Sequence, residues 1–154
     1  MQLQHKTMKL LPIDINETKN VPFQENRECV AVLEVYPDYY KRVGYHPPWI
    51  GYFVVNDKDE IVGCGGYKGQ PKDDTVEIAY GIFEKFEGQG VGTQICRQLV
   101  LLSLQTNPVL KIMARTLPEN HASIAIVKRN GFECIGLVYD EDDGDVLEWE
   151  FKKH

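Results

Sequence analysis

The stretch that decides the fold is EGQGVGT, Glu87-Gly88-Gln89-Gly90-Val91-Gly92-Thr93, which joins an alternating apolar pattern to a helical one. Its glycines let the backbone approach a ligand closely, and the first turn of a helix offers unpaired N–H groups to an anion. A tight strand-to-helix turn would need the same glycines for its geometry alone. Taken by itself, the stretch leaves both interpretations open.

Two familiar phosphate-binding loops do not fit this stretch. A Walker loop ends in Gly-Lys-Ser/Thr, and no lysine follows these glycines. The dinucleotide fingerprint Gly-x-Gly-x-x-Gly would need a glycine where the chain has Thr93. The remaining ligand-binding interpretation is a glycine turn that leads into a helix N-terminus facing a pyrophosphate.

Hydrophobic periodicity predicts strands and helices alternating on both sides of the stretch. The predicted strands are Thr7–Leu11, Trp49–Val55, Glu60–Tyr67, Thr75–Phe83, Lys111–Thr116, Glu133–Tyr139 and Asp145–Phe151. The predicted helices are Gln24–Val35, Val91–Leu104 and Asn120–Arg129, the last ended by a left-handed cap at Asn130-Gly131. Gly65-Gly66 suggests a bulge in its strand. The order β-α-β-β-β-α-β-α-β-β predicts a mixed sheet covered by helices.

Composition favours one soluble domain. The chain has 154 residues and a formal net charge of -6, which argues against nucleic-acid binding through a basic face. The four cysteines show no metal-ligand spacing, and Cys64, Cys96 and Cys134 are expected in the core. The N-terminal MQLQHKTMKLLP has no long apolar run, so we expect no signal peptide, no membrane span and a cytoplasmic location.

Three motifs taken together resemble a known superfamily. They are Glu77-Ile78-Ala79-Tyr80-Gly81-Ile82 ahead of the glycines, Asn120-His121-Ala122-Ser123, and Lys128-Arg129-Asn130-Gly131-Phe132. The combination is similar to the GNAT superfamily of N-acetyltransferases, and most similar to its ribosomal-protein N-acetyltransferase-like branch. The resemblance implies fold class α/β (mixed α+β), with the GNAT fold in a single domain over residues 1–154. That fold has a central mixed β-sheet of about six to seven strands with helices packed on both faces.

The resemblance also implies a reaction and a coenzyme. The reaction is transfer of an acetyl group from acetyl-CoA to a primary amine, directly in a ternary complex and without a metal. The implied coenzyme contacts are Tyr80, Ile82, Phe83, Glu87, Gly88, Gln89, Gly90, Val91, Gly92, Thr93 and Asn120, with a backbone N–H near Ile82 facing the acetyl oxygen. A non-catalytic CoA-binding or regulatory module on the same fold is the alternative.

Glu77 and Ser123 are the candidate catalytic residues. Glu77 shares a strand face with the small residues Ala79 and Gly81, which leave room for a ligand, so it is the candidate base, directly or through water. Its alternative role is a polar surface residue paired with an arginine. By resemblance, Ser123 lies beside the coenzyme sulfur. Asn120 is a helix N-cap as well as a coenzyme contact, its backbone capping and its side chain binding.

Two positions depart from the superfamily pattern. Glu87 stands where relatives usually have Arg or Gln, and a carboxylate turned toward a pyrophosphate would repel it. We therefore expect Glu87 to point outward. Val127 stands where many relatives have a tyrosine that protonates the departing thiolate, so that mechanism is not expected in its usual form.

Tyr39, Tyr45 and Tyr139 are candidate acceptor contacts. The first two belong to the aromatic loop Tyr36–Pro48, which could form a wall that binds an amine by cation–π contacts. The same loop could simply pack under the sheet. The acidic turn Tyr139–Asp145 either recruits a cationic substrate or is a solvated hairpin turn. We expect a small-molecule or peptide amine acceptor, and a monomer or homodimer.

Overall fold

A computed structural model describes residues 8–153 of the protein. The strands are β1 (Lys9–Pro12), β2 (Gly51–Val55), β3 (Ile61–Tyr67), β4 (Thr75–Ile82), β5 (Lys111–Thr116), β6 (Phe132–Asp140) and β7 (Gly144–Phe151). The helices are α1 (Arg27–Val43), α2 (Val91–Thr106) and α3 (His121–Arg129), with short 3-10 helices at Glu17–Phe23 and Glu84–Phe86. Within these residues no helix is both long and apolar enough to cross a bilayer.

The strands form one seven-stranded sheet in the order β1-β2-β3-β4-β5-β7-β6. Every neighbouring pair is antiparallel except β4 and β5, which run parallel. The predicted element order and the mixed α+β class are therefore confirmed. Thr7, the predicted first residue of β1, lies outside the described residues.

The pairing of β4 with β5 stops halfway along β4. It runs from Thr75 opposite Lys111 to Ile78 opposite Ala114. Beyond Ala114, β5 continues through Arg115 and Thr116, which still pair with β7 on the other side of β5 but no longer with β4. The two central strands therefore diverge, and the second half of β4 has no partner on this side among the described residues.

One face of β4 forms the core with α2. Val76 and Ile78 are buried against the helical stripe of Ile95 and Leu99, as the periodicity predicts. Tyr67 anchors the two layers, because its hydroxyl donates to the Leu99 carbonyl at 2.6 Å. The rigid sheet and α2 thus fix the strand end and helix start on either side of the glycine stretch.

Helix α1 is longer than predicted. Its start is capped by Asn26, whose side chain accepts from Glu28 N at 2.9 Å. It continues through Pro37 to Val43, so the first part of the predicted aromatic loop is helical. Tyr40 explains the extension, because its buried hydroxyl donates to the Ile13 carbonyl and accepts from Gly51 N. These tertiary contacts outweigh the local cost of a proline.

Two local predictions were wrong. The irregularity in the β2–β3 ladder lies between Val54 and Val55, not at Gly65-Gly66. The glycine at position 66 is needed for packing instead, since a Cβ there would stand 2.4 Å from the Ile50 carbonyl oxygen. Cys134 is exposed rather than in the core, because β6 is the edge strand of the sheet.

Candidate functional site

A cavity of about 740 Å³ lies where β4, α2 and α3 converge. Of the predicted site residues, those that line it are Tyr80, Ile82, Glu87, Gly88, Gly90, Val91, Gly92, Thr93, Asn120 and Ser123. The structure therefore brings the three sequence motifs to one place. Lining residues that the sequence did not point to include Phe86, Ala125 and Arg129. Ala125 and Arg129 follow Ala122 at helical spacing along one face of α3, a periodicity that could have identified them.

The unpaired half of β4 turns backbone groups toward this cavity. The Glu77 carbonyl accepts from Lys68 N, and Phe83 N donates to the Val62 carbonyl, so these residues face β3. Backbone groups alternate sides along an antiparallel strand. The N–H groups of Tyr80 and Ile82 therefore face the open side, where β5 has diverged.

The glycine stretch forms a loop with open space over it. Gly88 and Gly90 have positive φ angles of 74° and 79°, and a Cβ at either would meet no atom within 4 Å. Gly90 is the N-cap of α2 and provides no capping side chain. The N–H groups of the first turn of α2 therefore remain available to a ligand.

Helix α3 is fixed to α2 by an asparagine at its end. The Asn130 amide donates to the Thr93 carbonyl at 3.1 Å and to the Ile126 carbonyl at 3.0 Å. Gly131 follows with φ of 84°, which confirms the predicted left-handed cap. At the other end, the Asn120 side-chain oxygen accepts from Ser123 N at 3.1 Å. The side chain rather than the backbone thus forms the cap, and the amide NH₂ remains available as a donor.

Tyr80 places a phenol in the cavity. Burial raises its pKa above the ordinary value, and the neighbouring Cys96 thiol raises it further, while the nearby Ser123 hydroxyl opposes the shift. Val127, at the position of the superfamily's tyrosine, is completely buried. The protein therefore has a tyrosine hydroxyl next to Ser123, but from β4 instead of α3.

Glu77 lies outside the cavity lining, on the opposite face of β4. Its carboxylate is 2.6 Å from Lys68 Nζ and 3.8 Å from Arg115 Nε. The nearer partner is thus a lysine, whereas the alternative interpretation of Glu77 named an arginine. Its role as a base stays a prediction.

Arg115 is the centre of a charge network on that same face. Its guanidinium donates to Asp140 at 3.0 Å and to Glu148 at 3.2 Å. The backbone N–H of Asp142, followed by the Arg115 guanidinium, holds the pKa of Asp140 below its ordinary value of 3.8. The sequence gives no local signal for this network, because its members come from four strands and the segment after β3.

The remaining predicted residues, apart from Glu87, lie away from the cavity. Tyr39 packs on Tyr36 with ring centroids 5.5 Å apart, and Tyr45 packs on Tyr40 at 5.0 Å. Tyr139 is 73% exposed. Phe83 is buried in the core, and the Gln89 amide donates to the Lys85 carbonyl at 3.2 Å. Glu87 is exposed and forms part of the cavity wall, so its outward orientation stays a prediction.

Comparison with known proteins identifies the family. Residues 17–133 match the family described as acetyltransferase (GNAT) domain. The ribosomal-protein-serine acetyltransferase of Escherichia coli (strain K12) is 26% identical over 87 residues, 56% of this chain and 49% of that protein. An uncharacterized N-acetyltransferase p20 of Bacillus licheniformis is 26% identical over 88 residues, again 56% and 49%. The chain thus spans about half the length of these curated relatives.

Solved structures share the fold at low sequence identity. The aminoglycoside acetyltransferase AAC(6')-Ib in complex with coenzyme A gives a TM-score of 0.70 at 19% identity, covering 96% of this chain and 95% of that one. A spermidine N-acetyltransferase SpeG chimera from Vibrio cholerae and hSSAT gives 0.67 at 14% identity, covering 94% of each chain. These similarities confirm the predicted GNAT fold.

Proposed function

The chain belongs to the GNAT acetyltransferase domain family, and on that premise we propose that residues 1–154 form a single N-acetyltransferase domain. The proposed reaction moves the acetyl group of acetyl-CoA to a primary amine, by direct transfer in a ternary complex. The observation that carries the proposal is the cavity in which the unpaired end of β4 meets the uncapped first turn of α2.

The residues of the cavity fit coenzyme A. The first-turn N–H groups of α2 and the positive end of its dipole suit the diphosphate, and the open space over Gly88 and Gly90 leaves it room. One of the two N–H groups on the open side of β4, at Tyr80 and Ile82, can pair with the pantetheine arm as a neighbouring strand would, which leaves the other for the acetyl oxygen. The volume of 740 Å³ is within the range of about 300–1,000 Å³ that is common for ligand sites.

Acetyl-CoA would supply a thioester, whose acetyl carbon bonds to the amine nitrogen while its C–S bond breaks. The second amine proton is then lost and the thiolate gains a proton, so the products are the amide and the free coenzyme A thiol. The Ile82 N–H donates to the carbonyl oxygen as charge develops there. Ser123 and Tyr80 donate hydrogen bonds on the sulfur side. Because burial raises the pKa of Tyr80, the phenol keeps its proton and acts as a hydrogen-bond donor, not as an acid.

The amine binds on the face of the sheet that carries Glu77 and Arg115, here called the acceptor face. An alkylamine has a pKa of about 10.4, so it must lose a proton before it attacks. Glu77 receives that proton directly or through a water. Lys68 and Arg115 hold its carboxylate in a fixed position.

The related proteins suggest which amines to test. The names of the similar proteins refer to spermidine, to aminoglycosides and to a serine of a ribosomal protein. Their common chemistry is a primary amine in a small molecule or at a peptide end. The acidic turn after β6 and the tyrosines of α1 border the acceptor face and are the regions that would select among them.

Calorimetry with acetyl-CoA, followed by a free-thiol assay with an amine panel, tests the proposal. The panel contains spermidine, kanamycin and a peptide with an N-terminal serine. We expect binding, and amine-dependent thiol release with at least one of them. Binding without release on a broad amine panel would favour the non-catalytic module, and absence of binding would refute both functions.

Tyr80→Phe tests the sulfur-side assignment. Loss of one hydrogen bond to a developing thiolate should lower kcat about tenfold and leave the acetyl-CoA KM within about twofold. Tyr52→Phe is the matched control, because its hydroxyl donates to the Pro48 carbonyl outside the cavity. Equal kcat values for the two variants would remove Tyr80 from the reaction.

A further inference from the structure

The charged residues of the cavity wall are unusual for a site that would bind phosphates. Among its described lining residues, Glu87 is the one anionic side chain and Arg129 the one cationic side chain. Neither has an ion-pair partner within 4.0 Å in residues 8–153. Arg129 therefore presents an uncompensated positive charge to whatever occupies the cavity.

The position of Arg129 follows from how α3 is held. It is the last residue of α3, directly before the Asn130 amide that donates to the Thr93 carbonyl in the first turn of α2. This bond brings the end of α3 next to the N–H groups offered to the diphosphate. Arg129 lies one helical turn beyond Ala125 on the face that lines the cavity.

Glu87 adds a negative charge to the cavity wall, which a cation nearby can offset. A carboxylate close to a phosphate charge repels it more strongly near the protein surface, at an effective dielectric constant of about 20, than in bulk water at about 80. The backbone N–H groups carry only partial charges, equivalent to roughly half a unit for the whole helix end. A guanidinium can supply a full charge and a bidentate hydrogen bond to phosphate oxygens.

We propose that Arg129 binds a phosphate group of coenzyme A and offsets the repulsion from Glu87. The inference rests on the proposed function, since it names a side-chain contact of that same coenzyme. The phosphate is either in the diphosphate or on the 3′ position of the ribose. Both phosphates present the same anionic oxygens to a guanidinium. Ligands that lack one or both of them, dephospho-coenzyme A and pantetheine, distinguish the two.

The test is calorimetric binding of coenzyme A to the whole chain and to Arg129→Gln. The variant should bind about tenfold more weakly, as expected when one charge-assisted phosphate contact is lost. Its affinity should also fall less steeply with added NaCl, because one screened charge pair is gone. Lys128→Gln is the matched control: it removes the same charge from the adjacent residue, whose ammonium lies 6.0 Å from the Trp149 ring, outside the cavity. It should change the affinity less than twofold.

Dephospho-coenzyme A and pantetheine complete the experiment. If the tenfold difference in affinity between wild type and Arg129→Gln persists with dephospho-coenzyme A, Arg129 contacts the diphosphate. If the difference disappears, Arg129 contacts the 3′-phosphate. Pantetheine should bind both proteins equally. If Arg129→Gln and Lys128→Gln bind coenzyme A alike, this inference is wrong while the proposed function stands. If the wild-type protein does not bind coenzyme A, the proposed function itself fails.

Discussion

The two faces of β4 are built in different ways. On the cavity face, a ligand would meet backbone N–H groups, glycines and small residues from continuous stretches of sequence. On the acceptor face, Glu77, Arg115, Asp140 and Glu148 hold one another through side chains from four strands. The cavity face tolerates changes of side chain but not added bulk or charge, so substitutions there should affect coenzyme binding. The acceptor face depends on each charged side chain, so substitutions there should affect the free energy of unfolding.

Gly90→Asp should produce the largest effect. It adds a carboxylate where a Cβ now meets nothing within 4 Å, beside the first turn of α2. Repulsion of a diphosphate should weaken coenzyme A binding about a hundredfold. Calorimetry measures the affinity, and Gly90→Asn, which adds the same bulk without charge, should lose much less.

Gly144→Asp is the control for Gly90→Asp. Its φ of 75° is close to the 79° of Gly90, and its Cβ also meets nothing within 4 Å. Both variants therefore add the same charge and similar backbone strain, about 1–2 kcal/mol. If Gly144→Asp weakened coenzyme A binding as much, the loss would come from destabilisation and not from the ligand site.

The same contrast explains what the sequence could predict. The glycine stretch, β4 and α3 form local patterns, so periodicity predicted the elements, and the resemblance to the superfamily implied that they surround one site. The length of α1 did not, because Tyr40 stabilises it through contacts with Ile13 and Gly51. Arg115 was missed for the same reason: its partners lie 25 to 38 positions away along the chain.

Arg115→Gln should give the second largest effect. It should change the free energy of unfolding and not the affinity for coenzyme A. Removing the guanidinium leaves three partly buried carboxylates close together, which should lower the free energy of unfolding by about 2 kcal/mol. Urea denaturation measures this change. Arg115→Lys keeps the charge but loses the fork of donors, so it should recover part of the loss.

Coenzyme A affinity is the decisive second measurement for Arg115→Gln. Arg115 does not line the cavity, so the affinity should stay within about twofold of wild type. A tenfold loss of coenzyme A affinity in a folded variant would show that the two faces of the sheet are coupled and not independent.

Asp140→Asn should have a smaller effect that depends on pH. The folded pKa of Asp140 is lowered, so its ionised form contributes stability that is complete above the ordinary carboxyl pKa and is lost as pH falls through the folded value. At pH 7 the variant should be less stable by about 1 kcal/mol. Below about pH 4 the difference should shrink, since wild type then becomes protonated too. A difference that is constant between pH 7 and pH 3 would contradict this assignment.

Arg42→Gln should have the smallest effect. Arg42 of α1 lies 3.8 Å from Asp142, so this pair joins the two edges of the acceptor face, but the side chains are 64% and 74% exposed. Water screens such a pair, and its loss should cost less than about 0.5 kcal/mol in urea denaturation. Because the pair connects α1 with the acidic turn, the two regions that border the acceptor face, the variant also tests whether a cationic amine reaches that face past this contact. Stability should stay unchanged, while the KM for a cationic amine should fall by about twofold, since removing Arg42 leaves Asp142 free to attract the amine. An unchanged KM would place the amine's entrance away from this pair.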